Sequence, residues 1–213
     1  MQIIHLMKNQ RIVCTLVACF CLIQTTLSGE STLIKELNTG WTFHKIGSGK
    51  WYTAIVPGCV HTDLLEHKLI PDPFYRDNES KVQWVEKNSW EYKTEFTAEE
   101  VLMNMEHIIL DFKGLDTYAE IFLNDHHLKS TDNMFCEWEI DIKPVLKSGP
   151  NTLRILFHSP IAMGILSRDK FNLEAPNGYN LEFADNEWHN IGTYTSKAAY
   201  MYGWDWGPKI TTS

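Results

Sequence analysis

Between residues 90 and 157 the chain is built from short stretches in which apolar and polar residues alternate, each closed by turn formers. Alternation with a period of two puts the apolar side chains on one face of a pleated strand. Residues 90–96 read as one half-buried strand, and residues 107–112 and 118–123 as two more. The last two are separated by a turn at 113–117, where Gly114 and Asp116 break the pattern. Asn124 and Asp125 reverse the chain into residues 127–129. Residues 135–140 alternate again, 148–151 form a turn, and 152–157 are a further strand. Strands at this spacing, with turns between them, predict an all-β sandwich. Helices are few and short: residues 60–66 after Pro57 and Gly58, and residues 162–170 after Pro160. There is no internal repeat and no low-complexity segment.

The chain has 213 residues, 44% apolar and 22% charged, enough for one sizeable domain with ordinary globular composition. Lys and Arg number 19 against 27 Asp and Glu, a formal charge of -8. Such a chain lacks the basic footprint of a nucleic-acid binder and the polybasic stretch of a membrane-surface protein. Eight Trp suit stacking on sugars or an interface.

The first residues have a different character. Lys8 and Arg11 precede an apolar run at 12–23, and the small residues Thr25, Thr26, Ser28 and Gly29 follow. This is the layout of a secretory signal peptide over residues 1–28, cleaved after Ser28 or Gly29, with the domain proper at 29–213. The run is too short for a spanning helix of about 20 residues, and no membrane span is expected after cleavage. Three of the five cysteines, Cys14, Cys19 and Cys21, leave with that segment. Cys59 and Cys136 remain, either as one disulfide of the oxidising secretory route or as two buried thiols. Neither has metal-ligand spacing, and no nucleotide cradle, nucleophile elbow or zinc-protease motif is present, so neither metal nor cofactor is expected. Asn78-Glu79-Ser80 is a glycosylation acceptor and places Asn78 at the surface.

Periodicity is lost over residues 172–194, a loop longer than compact domains usually carry without a function. It leads into Trp204-Asp205-Trp206-Gly207-Pro208. Sugars offer apolar C–H faces to Trp and hydroxyls to a carboxylate. In a regular strand Trp204 and Trp206 would share one face and Asp205 the other. Either the Trp pair faces a core and Asp205 is solvated, or the segment bends. The sequence stops at Ser213 without a closing strand, as a sandwich truncated at its C-terminal end would. His126 and His127 are adjacent, point to opposite faces and read as surface turn residues; His61 reads as a residue that either caps or orients a loop. Glu99/Glu100, Glu137/Glu139 and Glu182/Asp185/Glu187 are the carboxylate groupings that counting offers to a glycosidase, and they read as solvated faces.

Several strings, in order, resemble the amino-terminal part of the β-mannosidases of glycoside hydrolase family 2. They are Leu37-Asn38-Thr39-Gly40-Trp41-Thr42-Phe43; Val56-Pro57-Gly58-Cys59-Val60-His61-Thr62-Asp63-Leu64-Leu65; Ile70-Pro71-Asp72-Pro73-Phe74-Tyr75-Arg76; and Trp84-Val85 with Trp90-Glu91-Tyr92. Gly114-Leu115-Asp116-Thr117 leading to Ile121-Phe122-Leu123-Asn124, Thr131-Asp132-Asn133-Met134-Phe135 and Gly203-Trp204-Asp205-Trp206-Gly207-Pro208 complete the set. Ser196 stands where the family often has a basic residue before the Lys aligned with Lys197. The resemblance implies a jelly-roll, galactose-binding-like sandwich, followed in the family by immunoglobulin-like domains and a barrel. It implies a retaining enzyme that removes terminal β-linked mannose, with both catalytic glutamates in the barrel, so that no catalytic residue is expected in this chain. Asp205 would accept hydrogen bonds from mannose hydroxyls, and Trp204 and Trp206 would shape the pocket. The partners implied are an oligosaccharide and the barrel domain; the location implied is the lysosome, with secretion as the alternative. A free-standing lectin-like module and a fragment of a sister β-galactosidase or β-glucuronidase are the competing expectations.

Overall fold

The computed structural model describes residues 4–7, 33–171, 191–203 and 207–213. Among these residues nine strands form two antiparallel sheets. The larger has the order β3-β2-β4-β9-β6-β7. Its strands are β2 (Thr42–Lys45), β3 (Tyr52–Thr53), β4 (Trp90–Ala98), β6 (Tyr118–Leu123), β7 (His126–Asp132) and β9 (Gly149–Phe157). The smaller has the order β1-β5-β8, from β1 (Ile4–Met7), β5 (Ile109–Phe112) and β8 (Trp138–Asp141). The helices are short: α1 (Val60–Glu66), α2 (Glu79–Val82), α3 (Glu100–Met103) and α4 (Pro160–Phe171). Two 3-10 turns lie at Ile191–Tyr194 and Ala199–Tyr202. The expected all-β, galactose-binding-like sandwich with few helices is what the chain forms.

The alternation read from the sequence is the packing pattern of the larger sheet. β4 and β9 pair along their full length, from Trp90 opposite Phe157 to Ala98 opposite Gly149. Trp90, Tyr92 and Phe96 of β4 and Leu153, Ile155 and Phe157 of β9 point inward. They join Leu110 and Phe112 of β5, together with Trp41, Phe43, Val60, Leu64 and Leu115, in one core. Burial at this scale contributes about 25 cal/mol per Å² of apolar surface and is the main force holding the sheets face to face. At the β6–β7 hairpin Asn124 and Asp125 take φ of 50° and 66°, the left-handed pair that a tight hairpin needs and that Asn and Asp tolerate.

Some boundaries differ from expectation for local reasons. β8 starts at Trp138 rather than 135 because the Asn133 side chain accepts the Phe135 amide at 2.9 Å, which takes that N–H out of the ladder. β9 starts at Gly149, inside the expected turn, because Pro150 sits beyond the end of β6, where no ladder partner needs its missing N–H. The single-turn helices α2 and α3 have no periodic signal to find. β1 lies within the segment read as a signal peptide and pairs with β5 from Ile4 opposite Phe112 to Met7 opposite Ile109. Cys59 and Cys136 are both free thiols, so the bridge that the secretory route would permit is not formed.

Candidate functional site

Trp204, Asp205 and Trp206, and most of the 172–194 loop, lie outside the described residues. What the structure places is the frame on either side of the three-residue segment. Gly203 and Gly207 bracket it, and Gly203 adopts φ of 133°, a conformation that favours glycine.

The incoming stem is held from both sides. Ser196 bridges to Asn133 in parallel, and its carbonyl accepts the Met134 amide at 3.0 Å. Tyr202 lays its ring on Gly192, where an added Cβ would lie 2.8 Å from the ring, and its hydroxyl meets Thr195 Oγ1 at 2.9 Å. The outgoing stem is pinned residue by residue. The Lys209 amide donates to Glu79 Oε1 at 3.0 Å and its carbonyl accepts Gln83 Nε2 at 2.7 Å. The Thr211 amide donates to Glu86 Oε2 at 2.9 Å, and Thr211 Oγ1 donates to the Met201 carbonyl at 3.0 Å, which ties one stem to the other. Thr212 Oγ1 meets His61 Nδ1 at 2.9 Å, and the Ser213 carbonyl accepts the Val60 amide at 3.0 Å. That amide is one of the free donors at the start of α1, so the stem satisfies a group the helix cannot satisfy itself.

The start of α1 is itself a constrained piece. A Cβ on Gly58 would lie 2.2 Å from the Ile55 carbonyl oxygen, so the loop closes only on glycine. The Cys59 amide donates to Thr62 Oγ1 at 3.2 Å, capping the helix. The Asp63 carboxylate is buried and accepts the Ile55 amide at 2.9 Å and the Tyr92 hydroxyl at 2.7 Å, fastening α1 to β4. His61, also buried, is thereby aimed at the outgoing stem. It does orient a loop, as the sequence allowed.

Lys197 sits at the centre of this frame. Its side chain is fully enclosed, and its ammonium donates to Asp116 Oδ1 at 2.5 Å and to the Thr212 carbonyl at 2.7 Å. Asp116 belongs to the turn after β5, which Thr131 locks by donating to the Thr117 carbonyl at 3.1 Å. Burial dominates the electrostatics. It lowers His61 from 6.5 to about 4, helped by the nearby Lys197 charge, and it lowers Lys197 against the opposing pull of Asp116. The same desolvation raises Asp63 and Glu86 from their ordinary values.

The other sequence candidates do not join this cluster. Glu137 and Glu139 are exposed, and Glu137 pairs with Lys113 at 2.9 Å. Glu99 is exposed at the residue before α3, and His126 and His127 are exposed at the start of β7. Asn78 precedes α2, half-buried rather than freely exposed; its amide donates to the Asp72 carbonyl and its carbonyl accepts Lys81, both at 2.9 Å. Among the described residues no group of three or more His, Cys, Asp or Glu has the geometry to hold a metal, and no helix is long and apolar enough to cross a membrane. Lys197, Glu86 and Thr211–Ser213 were missed as members of the site. Buried charge at a stem leaves no periodic signal, because it depends on contacts between residues as much as 81 positions apart for Lys197 and 125 for Glu86.

Three of the strings behind the family resemblance, 56–61, 114–117 and 131–135, therefore meet the residues that flank a fourth, 203–208. Residues 41–213 match the family described as glycosyl hydrolase 2 galactose-binding domain-like. The chain belongs to this family. Within it, the chain is similar to the β-mannosidase of Bos taurus, 30% identical over 178 residues, which cover 83% of this chain and 20% of the relative. It is 37% identical to β-mannosidase B of Thermothelomyces thermophilus over 164 residues, covering 73% of this chain and 17% of that protein. The crystal structure of β-D-mannosidase from Dictyoglomus thermophilum superposes with a TM-score of 0.72 at 38% identity, covering 83% of this chain and 21% of that one. The chain spans about a fifth of the length of these relatives.

Proposed function

We propose that residues 29–213 form the sugar-binding sandwich of a retaining β-mannosidase that removes terminal non-reducing β-D-mannose from oligosaccharides of glycoproteins. The observation that carries this reading is the convergence of the family strings on the two stems of the 204–206 segment. In it, Asp205 accepts hydrogen bonds from hydroxyls of the mannose at the cleavage point, and Trp204 and Trp206 wall that subsite. A retaining enzyme needs two carboxyl groups about 5–5.5 Å apart, one as acid/base and one as nucleophile. The paired carboxylates described in this chain are solvated or engaged in holding the fold. The reading therefore assigns both catalytic glutamates to a barrel domain outside residues 1–213, and the chain by itself is inactive. Residues 1–28 direct the protein into the secretory pathway and on to the lysosome, and Asn78 receives its glycan before the 72–78 turn closes around it.

The test is expression of the polypeptide that the gene encodes, assayed on 4-nitrophenyl β-D-mannoside against the β-galactoside and β-glucuronide. Asp205→Ala is expected to lower kcat/KM roughly 10²-fold or more, since a charged hydrogen bond strengthened in the transition state is lost. A change under about threefold removes Asp205 from the site. Preference for the galactoside or glucuronide supports the sister-enzyme reading, and mannose binding without hydrolysis supports the lectin-like one.

A further inference from the structure

From the turn that precedes α2 we infer that Tyr75 is a stacking platform for a glycan on Asn78, its ring lying against the first N-acetylglucosamine. This deepens the secretory part of the function proposed above and rests on it. Tyr75 and Asn78 are the two ends of one β-turn, closed by the Asn78 amide donating to the Tyr75 carbonyl at 3.2 Å. Such a turn brings its first and fourth Cα atoms within about 7 Å, close enough for a sugar bonded to one side chain to lie on the other. The turn is fixed on both sides. Arg76 takes φ of 55°, and the Tyr75 amide donates to the Asp72 carbonyl at 3.2 Å. The Asn78 side chain is pinned at both of its polar atoms: Nδ2 donates to the Asp72 carbonyl and Oδ1 accepts from Lys81 Nζ, each at 2.9 Å. In glycosylation Nδ2 attacks C1 of the first sugar of an oligosaccharide carried on a lipid diphosphate. The N–C1 bond forms, the C1–O bond breaks, the diphosphate leaves and the nitrogen gives up one proton. One N–H remains, enough to keep the Asp72 bond, so the direction in which the sugar leaves the turn is set by the protein. Tyr75 is 57% exposed, and the Arg76 guanidinium lies over its ring at 5.0 Å from the centroid. The cation steadies the ring from one face, and the apolar C–H face of the sugar covers the other.

The experiment separates the stacking contact from the glycosylation it rests on. The chain is expressed in animal cells, and Ser80→Ala supplies its unglycosylated form, since that change removes the acceptor hydroxyl and keeps Asn78. The glycosylated chain is expected to melt about 2–4 °C above Ser80→Ala. Tyr75→Ala should abolish most of that gain, and Tyr75→Phe, which keeps the ring, should retain it. Ser80→Ala also loses its hydroxyl's bond to the Asp77 carbonyl, so the quantity compared is the gain with the ring against the gain without it. Equal gains in the wild-type and Tyr75→Ala backgrounds overturn the proposal. Enzymatic trimming of the glycan to its first sugar should leave the gain intact, and its loss on trimming overturns the proposal too. A second readout does not depend on stability. The carbon-bound protons of the first sugar should resonate upfield of those in glycosylated Tyr75→Ala, because an aromatic ring shields protons above its face; identical shifts overturn the contact. If the chain is recovered without residues 1–28 and with Asn78 unmodified, the inference fails and the secretory reading stands. If Met1 is kept and Asn78 is unmodified, both fail.

Discussion

His61 should make the attachment of the outgoing stem sensitive to acid. In the folded chain its imidazole is buried against Thr212 and near the Lys197 ammonium, and its pKa falls from 6.5 to about 4. A group whose folded pKa is depressed gives stability that is present above 6.5 and lost as pH falls toward the folded value. Each unit of depression corresponds to 1.36 kcal/mol, so the full loss is of the order of 3 kcal/mol. His61→Gln keeps a side chain that can meet Thr212 but cannot take up a proton. Urea titrations of the chain and the variant at pH 7, 6, 5 and 4 read the effect as a difference, which cancels titrations common to both. At pH 7 the variant is expected to be less stable by about 1 kcal/mol, for imperfect packing and a poorer hydrogen bond. The gap should close as pH falls and reverse by pH 4, where the native histidine must either unfold or hold a charge beside Lys197. A gap constant within about 0.5 kcal/mol from pH 7 to pH 4 would refute the argument, because the histidine would then have the same proton affinity in both states.

Two other outcomes follow from the same structure. Asp63→Ala leaves the buried Tyr92 hydroxyl and the Ile55 amide without their acceptor, and it should cost about 3 kcal/mol or more in urea unfolding at pH 7, with Tyr92→Phe costing about 1–2 kcal/mol. Expression in animal cells followed by intact-mass measurement should find residues 1–28 or 1–29 removed; a product that keeps Met1 would refute the leader reading and make the pairing of β1 with β5 a permanent part of the smaller sheet.

The sandwich was legible where one face of a strand is buried and the other wet. Trp90, Tyr92 and Phe96 alternate with Glu91, Lys93 and Glu95, and the structure buries the first set. Turn chemistry was equally readable at Asn124-Asp125 and at Gly58, since both positions have a steric demand that few residues meet. His61, Asp116, Thr131 and Met134, which hold the stems, lie in the short strings read from the sequence; that they meet there was not legible. Asp116 and Lys197 are 81 positions apart, and His61 and Thr212 are 151 apart. A hydrogen bond across such a separation depends on the whole topology, and local pattern carries no information about it. Asp63 and Glu86 look like ordinary surface acids in the sequence, yet both are buried.

That the stems are held by buried polar groups, and not by packed apolar ones, carries an electrostatic cost that the cluster divides between opposite signs. His61 is lowered, so it weakens the fold as pH falls from 6.5. Asp63 and Glu86 are raised, so the stability they contribute is fully present below the ordinary carboxylate range and is lost as pH rises through their folded values. On acidification the carboxylates therefore act in the opposite direction to the histidine. Glu86 is the sharper case. Its Oε2 holds the Thr211 amide, a bond that survives protonation at the other oxygen, and Oε1 lies 3.7 Å from the Lys209 ammonium. Protonating it therefore relieves burial of a charge without releasing the stem. In an acidic compartment, which the proposed location implies, the outgoing stem is kept by groups that tolerate the proton while His61 resists it. The wild-type chain should accordingly show a flatter pH profile than His61 alone dictates, and this is why its contribution has to be read as a difference between two chains.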